Sequence, residues 1–239
     1  MNMLDQDQYS KLKEDGYIII KNFYSSKEIL YMRQIILHNM KVRKNMFITG
    51  HNSGSKPDFL RDPNFKNLLP LLKLNTIHHI MKQIFNTPFH LCSHNDIGLN
   101  RIVNWHKDTL NNQYKVYQKT DIWSQQEGEN HEIYKFLIYL QDHSNNNDGL
   151  QLIEKSHLNP IIDLADRNKK YINSNLGDVV IFDQRITHRG SSSENYNYDR
   201  ILISLGFGKN NIFTKEFEEG TIRRQNDQNR TIVMKNNYF

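Results

Sequence analysis

The chain is poor in cysteine and in long apolar segments, and both scarcities exclude classes of protein. Cys92 is the only cysteine in 239 residues. This excludes an internal disulfide and a cysteine-based zinc site, and it favours a reducing, intracellular setting in the cytoplasm. No apolar run approaches the roughly 18 residues that a membrane span requires. Residues 1–15 also lack the apolar core of a signal peptide. We therefore expect no membrane association.

The charge balance is positive and weakly informative about partners. The formal net charge is +5, which favours an anionic small-molecule substrate. Part of the excess lies in residues 209–239, a basic segment rich in Asn and Gln, for which a solvated or partly disordered tail is expected. Nucleic acid is a disfavoured partner, because aromatic side chains do not alternate with the basic residues of this tail as base stacking requires.

The first informative motif is a histidine and a carboxylate one residue apart. His106 and Asp108 end an apolar stretch and precede a long polar loop. Alternate residues of a strand point to the same face, so both side chains can reach one metal ion. His94 and Asp96 have the same spacing but run on into strand-like sequence, where a capping or turn role is the simpler interpretation. We therefore favour His106 and Asp108 as metal ligands.

The second motif is a short apolar strand with a histidine beyond it. Residues 179–182 form an apolar run bounded by polar residues, which is typical of a buried strand. His188 follows, and another apolar stretch begins at Arg200. Antiparallel pairing can bring the end of one strand beside the start of another. Two histidines and one carboxylate leave one face of an iron ion open for a keto acid and O₂. The pattern predicts the site of a non-haem Fe(II), 2-oxoglutarate-dependent oxygenase, with the arginine holding the far carboxylate of the keto acid.

These motifs, in this order, resemble those of the phytanoyl-CoA dioxygenase family. The similar segments are residues 12–23, 105–108, 139–157 and 177–200. The first resembles the family's opening strand, the second its first metal motif and the third its central hairpin. That hairpin usually contains Pro-Gly where this chain has Glu154 and Lys155, so the turn there is expected to differ. No metal ligand is lost by this departure.

The resemblance implies a fold and a role for each motif. The fold would be mainly β with flanking helices, a double-stranded β-helix (jelly-roll, cupin-like) barrel with the N-terminal helices packed on one sheet. His106, Asp108 and His188 would bind Fe(II), and Arg200 would bind 2-oxoglutarate. Arg189 competes for that last role, but adjacent strand residues face opposite ways, so Arg200 is preferred. The carboxylate ligand points to hydroxylation by O₂, with release of succinate and CO₂.

The remaining sequence is consistent with one catalytic domain over residues 1–239, whose core spans about residues 12–208. Ser25 and Glu28 have the spacing of a capping box before an apolar pattern, which predicts a helix. A second apolar pattern predicts another helix over residues 69–84, in which a proline is tolerated only in the first turn.

Substrate recognition is expected around the loop from Thr109 to His131, whose length is typical of a lid. Within it, Trp123 is the candidate for substrate contact, the alternative being that it packs the loop onto the barrel. Lys135 and Tyr139 alternate along a predicted strand and are candidates for lining the cavity, although a lysine at a strand end can equally reach solvent. The alternative function is a hydroxylase of, or a non-catalytic binding module for, a protein or nucleic-acid partner.

Overall fold

The structure is a computed structural model that describes residues 4–40, 46–50, 53–110, 119–123, 130–144, 149–165, 168–190 and 199–237. Its α-helices are α1 (Gln6–Asp15), α2 (Ser26–Met40), α3 (Leu74–Phe85) and α4 (Ile212–Asn237). Its strands are β1 (Tyr17–Ile20), β2 (Phe47–Gly50), β3 (Ser53–Pro57), β4 (Phe89–Leu99), β5 (Ile133–Tyr139), β6 (Gln151–Ile153), β7 (Lys169–Tyr171), β8 (Val179–Asp183), β9 (His188–Arg189) and β10 (Ile201–Lys209).

The strands form two antiparallel sheets. The larger sheet has the order β1-β8-β5-β10-β4-β3-β2, and the smaller sheet has the order β7-β6-β9. An isolated bridge between His106 and His188 extends the smaller sheet at β9. The prediction of a mainly β fold of the double-stranded β-helix type with flanking helices is confirmed. The larger sheet is open, however, and does not close into a complete barrel.

The central strand β5 separates two apolar cores. Phe136 and Ile138 point to one face, where they pack with the apolar residues of α2 and α3. Leu137 and Tyr139 point to the other face and pack with residues of the smaller sheet such as Leu152. All seven residues of β5 are buried, as expected for a strand covered on both faces. Each large apolar side chain buried here contributes about 1.5–3 kcal/mol to stability.

The two predicted N-terminal helices are present, with one change of boundary. The capping box before α2 is formed: the Ser25 N–H donates to Glu28 Oε2 at 2.8 Å, and the Glu28 N–H donates to Ser25 Oγ at 3.3 Å. The second predicted helix divides into a 3₁₀ turn at Leu69–Leu72 and α3. The break falls at Lys73, whose left-handed φ of 51° interrupts the helical hydrogen bonds.

The expectation of a solvated or partly disordered tail after residue 208 is wrong. Residues 212–237 form α4, and this helix packs on β4, β3 and β2. Its inward residues recur with helical spacing, and they include Phe213, Phe217, Thr221 and Gln225. The overall composition concealed this amphipathic pattern, because charged and amide side chains occupy the remaining positions. No helix in the described ranges, α4 included, is long and apolar enough to cross a membrane.

Gly177 lies at the tight turn before β8 and has no room for a side chain. Its φ is +96°, and a Cβ there would lie 2.1 Å from the Tyr24 carbonyl oxygen. That close approach accompanies a 2.9 Å hydrogen bond from the Tyr24 N–H to the Gly177 carbonyl. We expect Gly177→Ala to lower the free energy of unfolding by more than about 1 kcal/mol, since alanine is strained at positive φ. Chemical denaturation measures this change.

The matched control is Gly190→Ala. The nearest atoms to a Cβ at Gly190 are 3.5 Å away, an ordinary contact distance. Equal stabilities of the two variants would contradict the role assigned to the Gly177 turn.

Candidate metal centre

The three predicted metal ligands meet at one point between the two sheets. The ligand atoms of His106, Asp108 and His188 all lie within 4.8 Å of one another. Two backbone hydrogen bonds, each 2.9 Å long, join the two histidines across the bridge. His106 Nε2 lies 3.3 Å from Asp108 Oδ1. The arrangement brings two imidazoles and one carboxylate onto one side of a common point, which is the donor set that suits Fe(II).

Backbone carbonyls orient both imidazoles. His106 Nδ1 lies 2.7 Å from the Asn104 carbonyl oxygen, and His188 Nδ1 lies 3.0 Å from the Ile186 carbonyl oxygen. Because a carbonyl only accepts, each Nδ1 carries a proton and donates it. The Nε2 lone pairs are then left to face the common point, as in metal-bound histidines whose other nitrogen is held by a second partner.

The charge states of His188 and Asp108 suit metal binding, whereas His106 retains its proton more strongly. Burial lowers the pKa of His188 to about 3, so its imidazole is neutral at physiological pH. Burial also opposes the charge on His106, but the hydrogen bond and negative charge of Asp108, together with the Asn104 carbonyl, outweigh this effect and raise the His106 pKa. A metal ion would therefore replace a proton between His106 Nε2 and Asp108. Burial of Asp108 disfavours its charged form, yet Lys135 holds its pKa well below the usual range. The carboxylate therefore stays ionised.

Lys107, between the first two ligands, fixes the metal motif to the rest of the fold. It points away from the ligands and is fully buried. Its Nζ donates to the Ser156 carbonyl at 2.5 Å and to the Arg185 carbonyl at 2.7 Å. Burial lowers the pKa of Lys107 to about 8. This role was not predicted from the sequence, because the spacing pattern leaves the middle position unspecified.

The turn that leads from β8 to His188 depends on a buried ion pair. Asp183 accepts hydrogen bonds from the Arg185 backbone N–H at 2.8 Å and from its guanidinium Nη2 at 2.8 Å. The Ile186 N–H donates to the Asp183 carbonyl at 2.9 Å. Burial opposes ionisation of Asp183, but Arg185 outweighs it and lowers the Asp183 pKa to about 2.

Stability is therefore expected to depend on Asp183 in acid. A carboxyl group with a depressed pKa stabilises the fold above its unfolded-state pKa and loses that contribution as pH falls through the folded value. The difference from the ordinary value corresponds to about 2 kcal/mol. We expect Asp183→Asn to be less stable than wild type near pH 7 by at least that amount, with the gap closing between about pH 4 and pH 2.

Denaturation curves measured across this pH range would show the convergence. Glu14→Gln, on the exposed face of α1, is the control and should match wild type throughout. A gap that does not change with pH would contradict the ion-pair explanation.

The triad lies on the wall of a cavity of about 630 Å³. Arg200, Lys135 and Tyr139 line the same cavity, so the structure brings these predicted residues together. Lys135 is 3% exposed and its Nζ lies 3.2 Å from Asp108 Oδ2. It does not reach solvent, which was the alternative that the sequence left open. Arg200, at the start of β10, is 5% exposed, and its guanidinium donates to the Arg101 carbonyl.

One sequence prediction about this region differs from the structure, and another lies largely outside the described residues. Trp123 lines a second, smaller cavity of about 180 Å³ instead of the cavity of the triad, which does not support its predicted substrate contact. The loop from Thr109 to His131 is described only in part. Residues 111–118 and 124–129 lie outside the described ranges, and with them most of the candidate lid.

The alternative pair, His94 and Asp96, does not cap a turn as expected. Both residues lie within the continuous strand β4, and both line the triad cavity. His94 Nε2 is 2.9 Å from Lys135 Nζ, and Arg224 of α4 pairs with Asp96 at 2.7 Å. Burial, reinforced by Lys135, lowers the pKa of His94 to about 3. The pair thus forms part of the charged wall of the cavity.

Two arginines that line the cavity were not predicted from the sequence. Arg224 is supplied by α4, and a helical pattern of buried positions in residues 212–237 was the signal that would have indicated it. Arg101 follows β4, and no spacing rule connects it to the triad. Its guanidinium makes no hydrogen bond or ion pair with any residue in the described part of the chain, although it lines the cavity.

Comparison with known proteins is consistent with this geometry. HygX from Streptomyces hygroscopicus, with nickel, 2-oxoglutarate and hygromycin B bound, is 17% identical with a TM-score of 0.63, covering 87% of this chain and 88% of its own. EvdO2 from Micromonospora carbonacea, complexed with 2-oxoglutarate, is 13% identical with a TM-score of 0.61, covering 87% and 92%. SnoK, a non-haem α-ketoglutarate-dependent carbocyclase from nogalamycin biosynthesis, is 15% identical with a TM-score of 0.63, covering 86% and 84%. At these identities the likeness shows the fold alone.

Family membership depends on a separate comparison. No curated protein matches the sequence. The family model for phytanoyl-CoA dioxygenase, in contrast, matches residues 12–197, which is most of the chain and includes all three predicted metal ligands. The chain therefore belongs to the phytanoyl-CoA dioxygenase family and is a non-haem Fe(II)- and 2-oxoglutarate-dependent oxygenase.

Proposed function

We propose that this protein hydroxylates a C–H bond of a small anionic molecule, with His106, Asp108 and His188 as the Fe(II) ligands. The observation that carries the proposal is the convergence of two oriented imidazoles and one ionised carboxylate on the wall of a cavity. Bound iron would supply the activation of O₂ and the oxidation of the substrate at the expense of 2-oxoglutarate. The protein supplies ligands, orientation and exclusion of water.

Arg200 is the residue proposed to bind the distal carboxylate of 2-oxoglutarate. It is held in place at both ends, because its N–H donates to Asn100 Oδ1 at 2.7 Å and its guanidinium donates to the Arg101 carbonyl. A fixed guanidinium presents parallel donors that match a carboxylate. Tyr139 lines the same cavity, and burial raises the pKa of its hydroxyl to about 12, so the group stays a hydrogen-bond donor.

Lys135 is proposed to position the carboxylate ligand. Its Nζ contacts Asp108 Oδ2, while Oδ1 of the same carboxylate faces His106. One oxygen of Asp108 is thereby held by the lysine and the other is directed toward the metal position. A partner of this kind fixes the orientation of a metal ligand and commonly changes metal affinity by about 10–100-fold when removed.

The charge of the cavity favours an anionic substrate. The cavity is lined by four cationic side chains, Arg101, Lys135, Arg200 and Arg224, and by two carboxylates, Asp96 and Asp108. The formal excess is two positive charges. Binding of Fe(II) and doubly charged 2-oxoglutarate leaves this excess unchanged. Arg101 makes no hydrogen bond or ion pair in the described part of the chain, although the charges of Asp96 and Asp108 act on it, and it is the residue that we assign to an anionic group of the substrate.

The size of the cavity favours a small molecule over a macromolecule. Its volume of about 630 Å³ is within the range of about 300–1,000 Å³ that is usual for small-molecule sites. The related fold of HygX has hygromycin B bound, which supports a small substrate in this type of scaffold. A protein or nucleic-acid substrate would need a long open groove, whereas the described residues around the triad line a cavity of small-molecule size.

The proposal is tested by O₂-dependent conversion of 2-oxoglutarate to succinate. Purified protein with Fe(II) is incubated with a panel of small carboxylates and phosphates, each beside its neutral ester or amide. Stimulation of succinate formation by anionic members, with a product heavier by one oxygen atom, is the expected result. Stimulation by neutral members alone would overturn the anionic substrate. A coupled product without an added oxygen would overturn hydroxylation.

Arg101→Gln is expected to weaken binding of the anionic substrate and to leave binding of 2-oxoglutarate nearly unchanged. Loss of a charge-assisted hydrogen bond costs about 1.5–3 kcal/mol, so KM for a stimulating anion should rise at least about tenfold. The KM for 2-oxoglutarate should stay within about twofold of wild type. A larger change would indicate the loss of a hydrogen bond to the co-substrate. Steady-state kinetics with each compound varied separately measures both values. An equal rise in both would show that Arg101 binds the co-substrate instead.

A further inference from the structure

A second cluster of metal-binding side chains joins α4 to the larger sheet. His90 and Cys92 are alternate residues of β4, and Glu218 belongs to the second turn of α4. One ligand atom from each lies within 4.8 Å of the other two. An imidazole, a thiol and a carboxylate are the three donor types that zinc uses in proteins. The cluster includes none of the residues of the triad.

The histidine of this cluster is oriented as a metal ligand would be. His90 Nδ1 lies 2.5 Å from Asn210 Oδ1, and its Nε2 lies 3.0 Å from Glu218 Oε2. The amide oxygen accepts a hydrogen bond from the Nδ1–H and so directs Nε2 toward the glutamate. Metal-bound histidines are commonly held in this way by a hydrogen bond to an oxygen on the far side of the ring.

The glutamate is fixed by the strand that supplies the other two side chains. Glu218 Oε1 accepts the Ser93 backbone N–H at 3.0 Å, which leaves Oε2 directed toward His90. Cys92, whose sulfur is near both side chains, is 1% exposed. His90 is partly open to solvent, with its side chain 41% exposed. The cluster therefore has a buried sulfur, two oriented ligands and a route by which a cation enters.

We propose that His90, Cys92 and Glu218 bind a divalent cation of the zinc type, with a water molecule as the fourth ligand. The thiolate and imidazole favour Zn²⁺ over Mg²⁺ or Ca²⁺, which prefer oxygen donors. Binding replaces the thiol proton of Cys92, which is released to solvent, by the metal ion. The exclusion of a cysteine-based zinc site from the sequence was too broad. A single cysteine excludes sites with several cysteines, whereas this mixed site needs only one sulfur.

The site would fasten α4 beside the catalytic cavity. His94 and Asp96 follow Cys92 on the same face of β4 and line that cavity, and Arg224 lies on α4 less than two turns after Glu218. A metal ion between β4 and α4 would hold the helix against the sheet at this point. It would thereby stabilise the wall that places Arg224 against Asp96, 2.7 Å away.

Cobalt(II) is the probe that distinguishes this site from the triad. Only a site with sulfur gives a near-ultraviolet thiolate-to-cobalt charge-transfer band, and Cys92 is the only cysteine in the chain. We expect anaerobic titration of the full-length protein to give this band, which should saturate when one cobalt ion per chain occupies this site. The band should persist in His106→Ala and disappear in Cys92→Ser. Glu218→Gln, which keeps an acceptor for the Ser93 N–H, should weaken cobalt binding at least about tenfold.

A second measurement guards against misfolding of the cysteine variant. Zn²⁺ should raise the melting temperature of His106→Ala, because a cation bound only by the folded state stabilises it. This rise should be lost in the double variant His106→Ala with Glu218→Gln. Absence of the charge-transfer band in folded wild type would overturn the proposal. Cobalt affinity unchanged by Glu218→Gln would also overturn it, because the His90–Glu218 contact would then be a simple ion pair.

Discussion

His106→Ala is expected to abolish the visible charge-transfer band that Fe(II) and 2-oxoglutarate give together in the absence of O₂. Loss of an outer partner of a metal ligand already lowers affinity by about 10–100-fold, so loss of the ligand itself should lower Fe(II) affinity by at least about 100-fold. The band should be lost completely, because the alanine methyl group offers no donor atom to the metal. Asp108 then keeps Lys135 as its main partner. Anaerobic titration followed by absorbance measures the loss.

His94→Ala is the matched control for that experiment. His94 lines the same cavity and belongs to the other His-x-Asp pair, yet its ring contacts Lys135 and does not belong to the triad. The band should therefore persist in this variant, with at most a modest loss of affinity through Lys135. A band lost in His94→Ala and kept in His106→Ala would reverse the assignment of the metal ligands.

Arg200→Gln should give the second largest effect, which is a loss of affinity for 2-oxoglutarate and not for Fe(II). Glutamine keeps one donor but removes the charge and the paired geometry. Two charge-assisted hydrogen bonds, each worth about 1.5–3 kcal/mol, are lost or weakened, so the affinity for 2-oxoglutarate should fall about 100-fold. Fe(II) affinity should change little, since Arg200 is not a member of the ligand cluster. The same titration, with 2-oxoglutarate varied, gives both constants.

Arg189→Gln provides the control for Arg200. Arg189 was the competing candidate, but its guanidinium Nε donates to Gln151 Oε1 at 2.9 Å and the group stacks over the Trp105 ring at 5.1 Å. Gln151 belongs to β6 of the smaller sheet, and Arg189, unlike Arg200, is not one of the residues that line the cavity. Weaker 2-oxoglutarate binding in Arg189→Gln, with Arg200→Gln unaffected, would contradict the assignment.

The sequence by itself identified the elements whose information is local. The capping box at Ser25 and Glu28 was predictable because its hydrogen bonds join residues three apart. The apolar run at residues 179–182 was recognisable as a buried strand because all its side chains are buried on one or other face of the sheet. The order of the metal motifs also indicated the family. The expected strand geometry is not found, however, because His106 lies at an isolated bridge and Asp108 begins a 3₁₀ turn.

Tertiary structure alone added two of the four cations that surround the triad, because only Lys135 and Arg200 were expected from the sequence. Arg101 and Arg224 reach the cavity from a segment after β4 and from α4, more than one hundred residues apart in the chain. No local pattern encodes such a meeting, because it depends on how β4, α4 and the larger sheet pack. The same packing places His94 and Asp96 in the cavity wall, where the sequence indicated a turn. It also places Trp123 at the smaller cavity instead of the triad cavity.

The C-terminal helix α4 shows why some features could be predicted from the sequence and others only from the packing. Its sequence is polar on average, which predicts a solvated tail, because composition averages over all sides of a helix and does not show which side each residue occupies. In the structure, Phe213 and Phe217 are buried against the sheet, and Glu216 accepts backbone N–H groups of Lys119 and Thr120. The stability of such a helix comes from packing more than from propensity. The sequence was sufficient to predict the proposed metal ligands, and the packing of distant segments determined the charge and shape of the cavity around them.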